Sequence, residues 1–346
     1  AGKREDISLR DKEKEIQKDL DDGIDTIGKK MTVCQLYAKQ IRHRGNVRYN
    51  TKNGRKRLMK LLEEDKLGGC PIDSVKLSDA KEWAIRMKEK GISYKTISND
   101  KRSLKAAFYT AIQDDCIRKN PFDFQLNTVI EDDTEPKVPL TPAQEESFLS
   151  FAQNDKVYQK YYDELIILLG TGLRISELCG LTDTDINFEN RIINVDHQLL
   201  RSAETGYYIE TPKTKSGIRQ IPMSEKVYEA FNRVLKRRRG AKAVTIDGYS
   251  NFLFLNRDGY PKTATNYDGM FRGLAKKYNK YHEEALPKVM TPHTLRHTFC
   301  TNMANAGMNP KALQYIMGHS NITMTLNYYA HATFDSAKAE MLRIAA

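Results

Sequence analysis

This chain of 346 residues lacks several features that would place it in other classes of protein. It has no run of apolar residues near the 18 that a transmembrane helix needs. Its five cysteines are odd in number and lack CxxC spacing, which argues against a disulfide framework or a zinc site and for reduced thiols in a cytoplasm. The chain begins Ala1-Gly2-Lys3-Arg4, with neither an initiator methionine nor an apolar signal region, so we expect it to have lost an N-terminal segment.

Positive charge is concentrated in one part of the chain. Residues 31–120 contain 21 Lys and Arg against 10 Asp and Glu, and this excess of +11 equals the net charge of the whole chain. Because a solvated surface usually mixes both signs, a basic module beside a near-neutral one indicates contact with the phosphate backbone of a nucleic acid.

The spacing of apolar residues predicts two domains and a fold that is mainly α with a small antiparallel β-sheet (α+β). Residues 31–126 show helical spacing in four segments and predict a small, basic, all-helical domain. Residues 127–140 carry acids and two prolines, as an interdomain linker would. Residues 141–331 mix helices with short strands. We expect residues 1–30 to be an exposed linker and residues 332–346 a tail helix.

A hairpin is expected in the second domain. Two β-rich segments, Tyr207–Thr211 and Arg219–Pro222, flank the sequence Lys-Thr-Lys-Ser-Gly, in which glycine stands where a hairpin turn needs it. The order Lys-Ser-Gly-Ile-Arg favours Lys215 as the residue at the tip, and Lys213 is the alternative.

The first of four clusters that could carry chemistry is Thr171–Leu178. Gly172 lets the chain turn tightly into a helix, on which Arg174 and Glu177 lie three residues apart, so that the carboxylate can orient the guanidinium. Taken alone, this pair is more simply explained as an exposed ion pair.

The second cluster begins with Thr291 and Pro292, which are good N-cap and N1 residues. His293 and Arg296 would then lie at a helix N-terminus, where their donors suit a phosphate. His293 and His297 also have the four-residue spacing of zinc ligands, but no third ligand and no HExxH glutamate accompany them. We expect His297 to be a hydrogen-bonded core residue.

The remaining clusters are short and close together. Gly318 can end a helix in the left-handed conformation, and His319 follows it. Tyr328 and Tyr329 come nine and ten residues after that histidine. A histidine after a helix cap and a pair of tyrosines are each more often structural than catalytic.

Taken together, the clusters resemble the tyrosine recombinases, the phage-integrase-like enzymes, whose pattern is an arginine, a hairpin lysine, HxxR, GH and then a tyrosine. The resemblance covers residues 31–346, and Lys311–Ala332 is especially similar to the integrases of conjugative transposons. It implies a helical DNA-binding domain and a catalytic domain that form a C-shaped clamp on DNA. The matching residues are Arg174, Lys215, His293, Arg296, His319 and Tyr328.

These residue types suit attack on a phosphodiester. Arg174 and Arg296 can each donate two hydrogen bonds to the phosphate, and His319 can add a donor. A tyrosine hydroxyl has a pKa of about 10 and needs a base or a cationic pocket to react near neutral pH, and His293 suits the base role. Lys215 could protonate the 5′-oxygen that leaves.

The resemblance also implies what the reaction uses. It implies excision and integration of a mobile element through a 3′-phosphotyrosyl intermediate, without metal, other cofactor or ATP. The implied partners are double-stranded DNA, further copies of the chain (dimer to tetramer), and an excisionase accessory protein, on the nucleoid of a bacterial cytoplasm. The tail helix, residues 334–344, would dock on a neighbouring subunit, the alternative being its own domain.

Three other functions compete with this interpretation. A type IB topoisomerase uses similar residues, although this chain is short for one. A non-enzymatic helix-turn-helix protein fits residues 295–317 but leaves Arg174 and Tyr328 unexplained. A metal-dependent nuclease is disfavoured because the chain lacks clustered acids. Among the tyrosines, Tyr329 stays open as the alternative nucleophile.

Overall fold

The computed structural model describes residues 14, 30–45, 47–135, 138–212, 214–238, 244–329 and 341–342. The chain divides into two compact units, Ala1–Glu135 and Pro136–Ala346. Most of the expected N-terminal linker and nearly all of the expected tail helix lie outside the described residues. Within the described part of the chain, no helix combines the length and apolarity needed to cross a membrane.

The described residues of the first unit are mostly helical, as the apolar spacing predicts. Thr32 and Gln35 form a capping box at the first helix, and Ser93 caps the last. Trp83 is fully buried, and the ring of Phe122 packs edge-on against it at 5.7 Å. The α-helices of this unit are α1 (Val33–His43), α2 (Tyr49–Glu63), α3 (Leu77–Glu89) and α4 (Tyr94–Gln113).

The predicted linker, residues 127–140, is packed at both of its ends. Ile130 is buried in the core of the first unit, whereas Leu140 is buried in the core of the second. The backbone N–H of Leu140 donates to Thr298 Oγ1 at 2.9 Å. The division between the two units falls between these two anchors, after Glu135.

The second unit is built around an apolar helix, Tyr162–Thr171, whose leucines and Ile167 are almost completely buried. Its core also contains the buried faces of the helices that flank this one in space. The described α-helices of the unit are α5 (Pro142–Asn154), α6 (Tyr162–Thr171), α7 (Ile175–Gly180), α8 (Glu225–Arg238), α9 (Ala264–Tyr281), α10 (Pro292–Asn305), α11 (Pro310–Met317) and α12 (Thr323–Leu326).

Two small antiparallel sheets complete the described part of this unit. One has the strand order β1-β2-β5, and the other pairs β3 with β4. A mainly α fold with small antiparallel sheets is the class that the sequence predicts. The strands are β1 (Ile186–Asn187), β2 (Ile192–Val195), β3 (Gln198–Ser202), β4 (Gly206–Glu210) and β5 (Arg219–Pro222).

The strand pairing shows that the predicted hairpin around Lys215 is wrong. Strand β4 turns back onto β3 through Gly206, which has a φ of +72°, so that Leu199 faces Ile209. Strand β5 pairs instead with β2 and places Ile221 opposite Ile193 in the core. Lys215 therefore lies on the connection between two different sheets.

Candidate active site

Arg174 lies where helix α6 ends and helix α7 begins. Gly172 ends α6 with a φ of +64°, and a Cβ at this position would come within 2.4 Å of the Phe299 ring. The backbone N–H and the guanidinium of Arg174 both donate to Glu177, at 2.9 and 2.8 Å. The predicted pairing is confirmed, but it is not an exposed ion pair, because Glu177 is only 3% exposed.

Glu177 is shared with a second arginine. Arg219 on β5 has a fully buried side chain, and its Nη1 and Nη2 donate to the two carboxylate oxygens at 3.1 and 2.8 Å. Burial would raise the pKa of Glu177, but these hydrogen bonds and the charges of Arg174 and Arg296 hold it at about 2. The carboxylate is therefore ionised at neutral pH and binds two arginines at once.

Arg296 is almost completely buried on the first turns of helix α10. Its guanidinium donates to the carbonyl of Gly172 at 2.5 Å and to the carbonyl of Met317. Burial and the nearby charge of Arg174 lower the pKa of Arg296 to about 9. This value still leaves the guanidinium protonated at neutral pH. We call Arg174, Arg219, Arg296 and Glu177 the arginine cluster.

The C-terminal end of helix α11 binds all three of these arginines. A helix end leaves carbonyls without intrahelical partners and carries partial negative charge, so cations are stabilised there. Three successive carbonyls each accept from a different guanidinium. The pairs are Ile316 with Arg219, Met317 with Arg296 and Gly318 with Arg174.

His319 follows directly after this helix end. Gly318 has a φ of +60°, as predicted for a helix C-cap, and His319 is buried with its Nδ1 2.9 Å from Thr325 Oγ1. Burial, together with the positive charges of the arginine cluster, lowers the pKa of His319 to about 4. The imidazole is therefore neutral at physiological pH.

The other two histidines of interest lie on helix α10. Thr291 is its N-cap and Pro292 its first residue, as predicted. His293 is exposed near this N-terminus. The ring of His297 packs edge-on against the ring of Tyr328, with centroids 4.8 Å apart.

The two neighbouring tyrosines differ in what their hydroxyls contact. Both follow the short helix α12 and pack against a cluster that contains Cys300 and Met317. The hydroxyl of Tyr329 donates to the carbonyl of Met308 at 2.5 Å. No described residue forms a hydrogen bond with the hydroxyl of Tyr328. Burial raises the pKa of both tyrosines.

Lys215 is exposed on a single 3₁₀ turn, Lys215–Gly217, and Lys213 lies outside the described residues. The carbonyl of Gly217 accepts a hydrogen bond from Arg219 Nη1 at 3.0 Å. The same turn approaches Gly318 so closely that a Cβ there would lie 3.0 Å from the carbonyl oxygen of Ser216. The fold thus brings the turn of Lys215 against the arginine cluster.

Arg219 is the site residue that the sequence analysis missed. Strand β5 alternates buried and exposed residues, and Arg219 shares the buried phase with Ile221. A charged residue on the buried face of a strand is costly unless it is paired. The alternation of β5 could therefore have indicated from the sequence that Arg219 has a buried partner.

One group of potential metal ligands occurs among the described residues, namely Asp185, Asp196 and His197. The Nδ1 atom of His197 lies 2.6 Å from Asp196, and its Nε2 atom lies 2.8 Å from the carbonyl of Gly180. Both ring nitrogens therefore face hydrogen-bond acceptors. We assign this histidine a structural role in joining the end of helix α7 to strand β3.

Comparison with known proteins identifies the family of this chain. The phage integrase family matches residues 139–336. The transposase of transposon Tn916 from Enterococcus faecalis is 69% identical over 344 residues, which are 99% of this chain and 85% of that protein. The chain belongs to the phage integrase family.

Solved structures show which kind of family member this chain is similar to. The integrase of transposon Tn1549, in complex with a circular intermediate DNA, matches with a TM-score of 0.87 and 78% identity, covering 91% of this chain and 99% of that one. A λ integrase dimer bound to a core site shares the fold, with a TM-score of 0.59 and 16% identity over 86% of this chain and 76% of that one. The chain is a tyrosine recombinase of the conjugative-transposon type, as the sequence resemblance predicts.

Proposed function

We propose that this recombinase cleaves and rejoins double-stranded DNA at the ends of a conjugative transposon and at its target, with Tyr328 as the nucleophile. The observation that carries the proposal is the arginine cluster on the C-terminal end of helix α11, beside His319. Residues 31–126 would be the DNA-binding domain and residues 141–331 the catalytic domain.

The spacing of two residues in a relative supports the choice of Arg174 and Tyr328. Solved forms of the Tn1549 integrase carry an arginine-to-lysine and a tyrosine-to-phenylalanine substitution at positions that lie 154 residues apart in that protein. Arg174 and Tyr328 are separated by the same 154 residues.

The arginine cluster is suited to the phosphate of the scissile bond. Each guanidinium has five N–H donors, and the protein carbonyls and Glu177 use only some of those on Arg174 and Arg296. The remaining donors can bind nonbridging oxygens as negative charge develops. If Nδ1 of His319 accepts from Thr325, its Nε2 carries the proton and is a further donor.

Tyr328 is favoured over Tyr329 because the hydroxyl of Tyr329 is bound to a backbone carbonyl, whereas that of Tyr328 has no partner among the described residues. Burial disfavours the phenolate of Tyr328, while the charge of Arg296 favours it. The tyrosine therefore needs a base to react at neutral pH, and His293 would accept its proton.

The proposed cleavage step is a transesterification. The oxygen of Tyr328 forms a bond to phosphorus as the bond from phosphorus to the 5′-oxygen breaks, and Lys215 donates a proton to that oxygen. The product is a 3′-phosphotyrosine and a free 5′-hydroxyl. Attack by the 5′-hydroxyl of a partner strand reverses the chemistry and rejoins the DNA.

The basic segment, residues 31–120, would supply much of the electrostatic attraction to DNA, because its excess of 11 positive charges equals the net charge of the whole chain. The affinity for DNA should therefore fall steeply with salt, since Lys and Arg displace counterions from phosphates. Binding isotherms at several salt concentrations test this, and a flat plot of log affinity against log salt would contradict it.

The finer parts of the biology follow the same proposal. A synaptic complex of up to four copies, an excisionase accessory protein and a location on the bacterial nucleoid all fit a transposon integrase. The tail segment that would join neighbouring copies lies outside the described residues.

The test is covalent trapping on a nicked suicide substrate, in buffer that contains EDTA. An adduct that resists SDS, with DNA attached to the peptide that contains Tyr328, is the expected result. Linkage to Tyr329 would overturn the choice of nucleophile. Cleavage that needs added metal and leaves no adduct would overturn the whole proposal.

A further inference from the structure

Arg219 joins three separate segments of the second unit. Its Nε donates to the carbonyl of Ile316 at 2.6 Å, at the end of helix α11. Its Nη1 and Nη2 donate to Glu177 on helix α7, and Nη1 also donates to the carbonyl of Gly217 at 3.0 Å. No atom of this side chain reaches solvent, so the guanidinium is committed to these contacts.

We propose that Arg219 is a positioning residue for DNA cleavage, which holds the turn of Lys215 at a fixed place against the end of helix α11. This inference rests on the proposed role of Lys215 as the general acid.

The geometry explains why an arginine is needed at this position. The segment Lys215–Gly217 is a single 3₁₀ turn, and Lys215 and Ser216 are exposed on it. The contact from Arg219 to the carbonyl of Gly217 ties the far end of that turn to the same helix end that binds Arg174 and Arg296. A lysine would keep the positive charge near Glu177, but its single ammonium lacks the planar fork that spans three segments.

Packing between the turn and helix α11 supports the same role. A Cβ at Gly318 would lie 3.0 Å from the carbonyl oxygen of Ser216 and 3.1 Å from Arg219 Nη1, so these groups are in close contact. The backbone N–H of Gln220 also donates to the hydroxyl of Tyr315 at 3.1 Å, which links β5 to the helix a second time. A displaced Arg219 would release the turn from this surface.

A purely structural buried ion pair would give a different outcome. It would affect stability and would reduce cleavage of every substrate equally. If Arg219 acts through the proton donor, a leaving group that needs no proton should bypass the defect. A 5′-bridging phosphorothiolate has such a leaving group, because a thiolate departs without protonation.

The experiment compares the rate of single-turnover cleavage on two suicide substrates, one ordinary and one with the 5′-bridging sulfur. We expect Arg219→Lys to cleave the ordinary substrate at least about 10-fold more slowly than the unmodified enzyme and to regain most of the rate on the sulfur substrate. Arg174→Lys should stay slow on both, because it lacks phosphate contacts. The matched control is Arg233→Lys, since Arg233 also binds a buried carboxylate, Asp163, at 2.8 Å, and should change neither rate.

Lys215→Ala, tested in parallel, distinguishes failure of the positioning role of Arg219 from failure of the general-acid role of Lys215. If sulfur does not rescue Lys215→Ala, the proposed general acid is wrong. If sulfur rescues Lys215→Ala but not Arg219→Lys, the positioning role of Arg219 is wrong. It is also wrong if Arg219→Lys cleaves both substrates at the normal rate.

A second variant covers the case in which Arg219→Lys does not fold. In Gly217→Ala the new Cβ would lie 2.3 Å from the Cβ of Pro212, so the turn must shift while Arg219 stays. We expect slow cleavage of the ordinary substrate and rescue by sulfur. Normal cleavage, or slow cleavage without rescue, would overturn the proposal.

Discussion

The two halves of the site are held in different ways. The arginine cluster is largely buried, and its guanidiniums bind backbone carbonyls and a carboxylate, Glu177, that is 3% exposed. The two proposed reacting groups lie on much shorter elements. Lys215 is on a three-residue turn, and Tyr328 follows the four-residue helix α12.

This difference suggests a division of labour. Electrostatic stabilisation of a transition state works best when the donors are fixed beforehand, because they need not reorganise during the reaction. Short elements with few buried contacts open most easily in native proteins. We infer that the phosphate-binding half is complete before DNA binds, whereas the proton donor and the nucleophile are adjusted by the DNA complex.

The largest expected effect concerns the proposed reacting groups, Lys215 and Tyr328. Tyr328→Phe should abolish the covalent DNA adduct completely, because it removes the hydroxyl of the proposed nucleophile, while DNA binding survives. SDS gels of a suicide substrate and gel-shift titrations measure the two properties. Tyr329→Phe is the matched control and should retain the adduct. If Tyr328→Phe still forms adducts and Tyr329→Phe does not, the two tyrosines exchange roles.

Arg296 provides the corresponding test of the buried half. Arg296→Lys should lower the cleavage rate by about 10²-fold or more, because one ammonium cannot reach Gly172, Met317 and a phosphate together. Arg233→Lys, remote in sequence and bound to Asp163, is the control. A loss under tenfold would mean that the buried half is less organised than its contacts indicate.

The sequence predicted which residues form the candidate site better than it predicted how they are held. Arg174, Arg296 and His319 were proposed from three short local patterns, Thr171–Leu178, HxxR and Gly-His, and the structure brings their side chains together at the end of helix α11. The pairing of the strands was not found, since Tyr207–Thr211 looks as able to pair with Arg219–Pro222 as with the unrecognised strand β3. Long-range pairing depends on which apolar faces meet in the core, and a local pattern does not contain that information.

Arg219 was missed for a related reason. Its partners, Glu177 and the carbonyl of Ile316, are 42 and 97 residues away, and no spacing rule connects them. The convergence of three arginines on one helix end follows from the packing of helices α10 and α11 with strand β5.

Acid should lower the free energy of unfolding through His319, which is buried beside the arginine cluster. The pKa of His319 is about 4 in the folded chain and about 6.5 when unfolded, so the unfolded chain binds more protons between these values. Its contribution to stability is therefore full above about pH 6.5 and is lost as the pH falls towards 4, by at most about 3 kcal/mol. Urea unfolding of His319→Gln beside the unmodified protein isolates this term. Parallel pH dependences of the two proteins would contradict it.

The smallest expected effect is a difference in folding stability between the variants of Tyr328 and Tyr329. Tyr329→Phe removes the donor to the carbonyl of Met308 and should lower the free energy of unfolding by about 1 kcal/mol. Tyr328→Phe should change it by less, because its hydroxyl has no partner among the described residues. Urea unfolding of both variants measures the difference. The opposite order would show that Tyr328 is held by packing and hydrogen bonding, which would undermine the view that the nucleophile is placed by DNA.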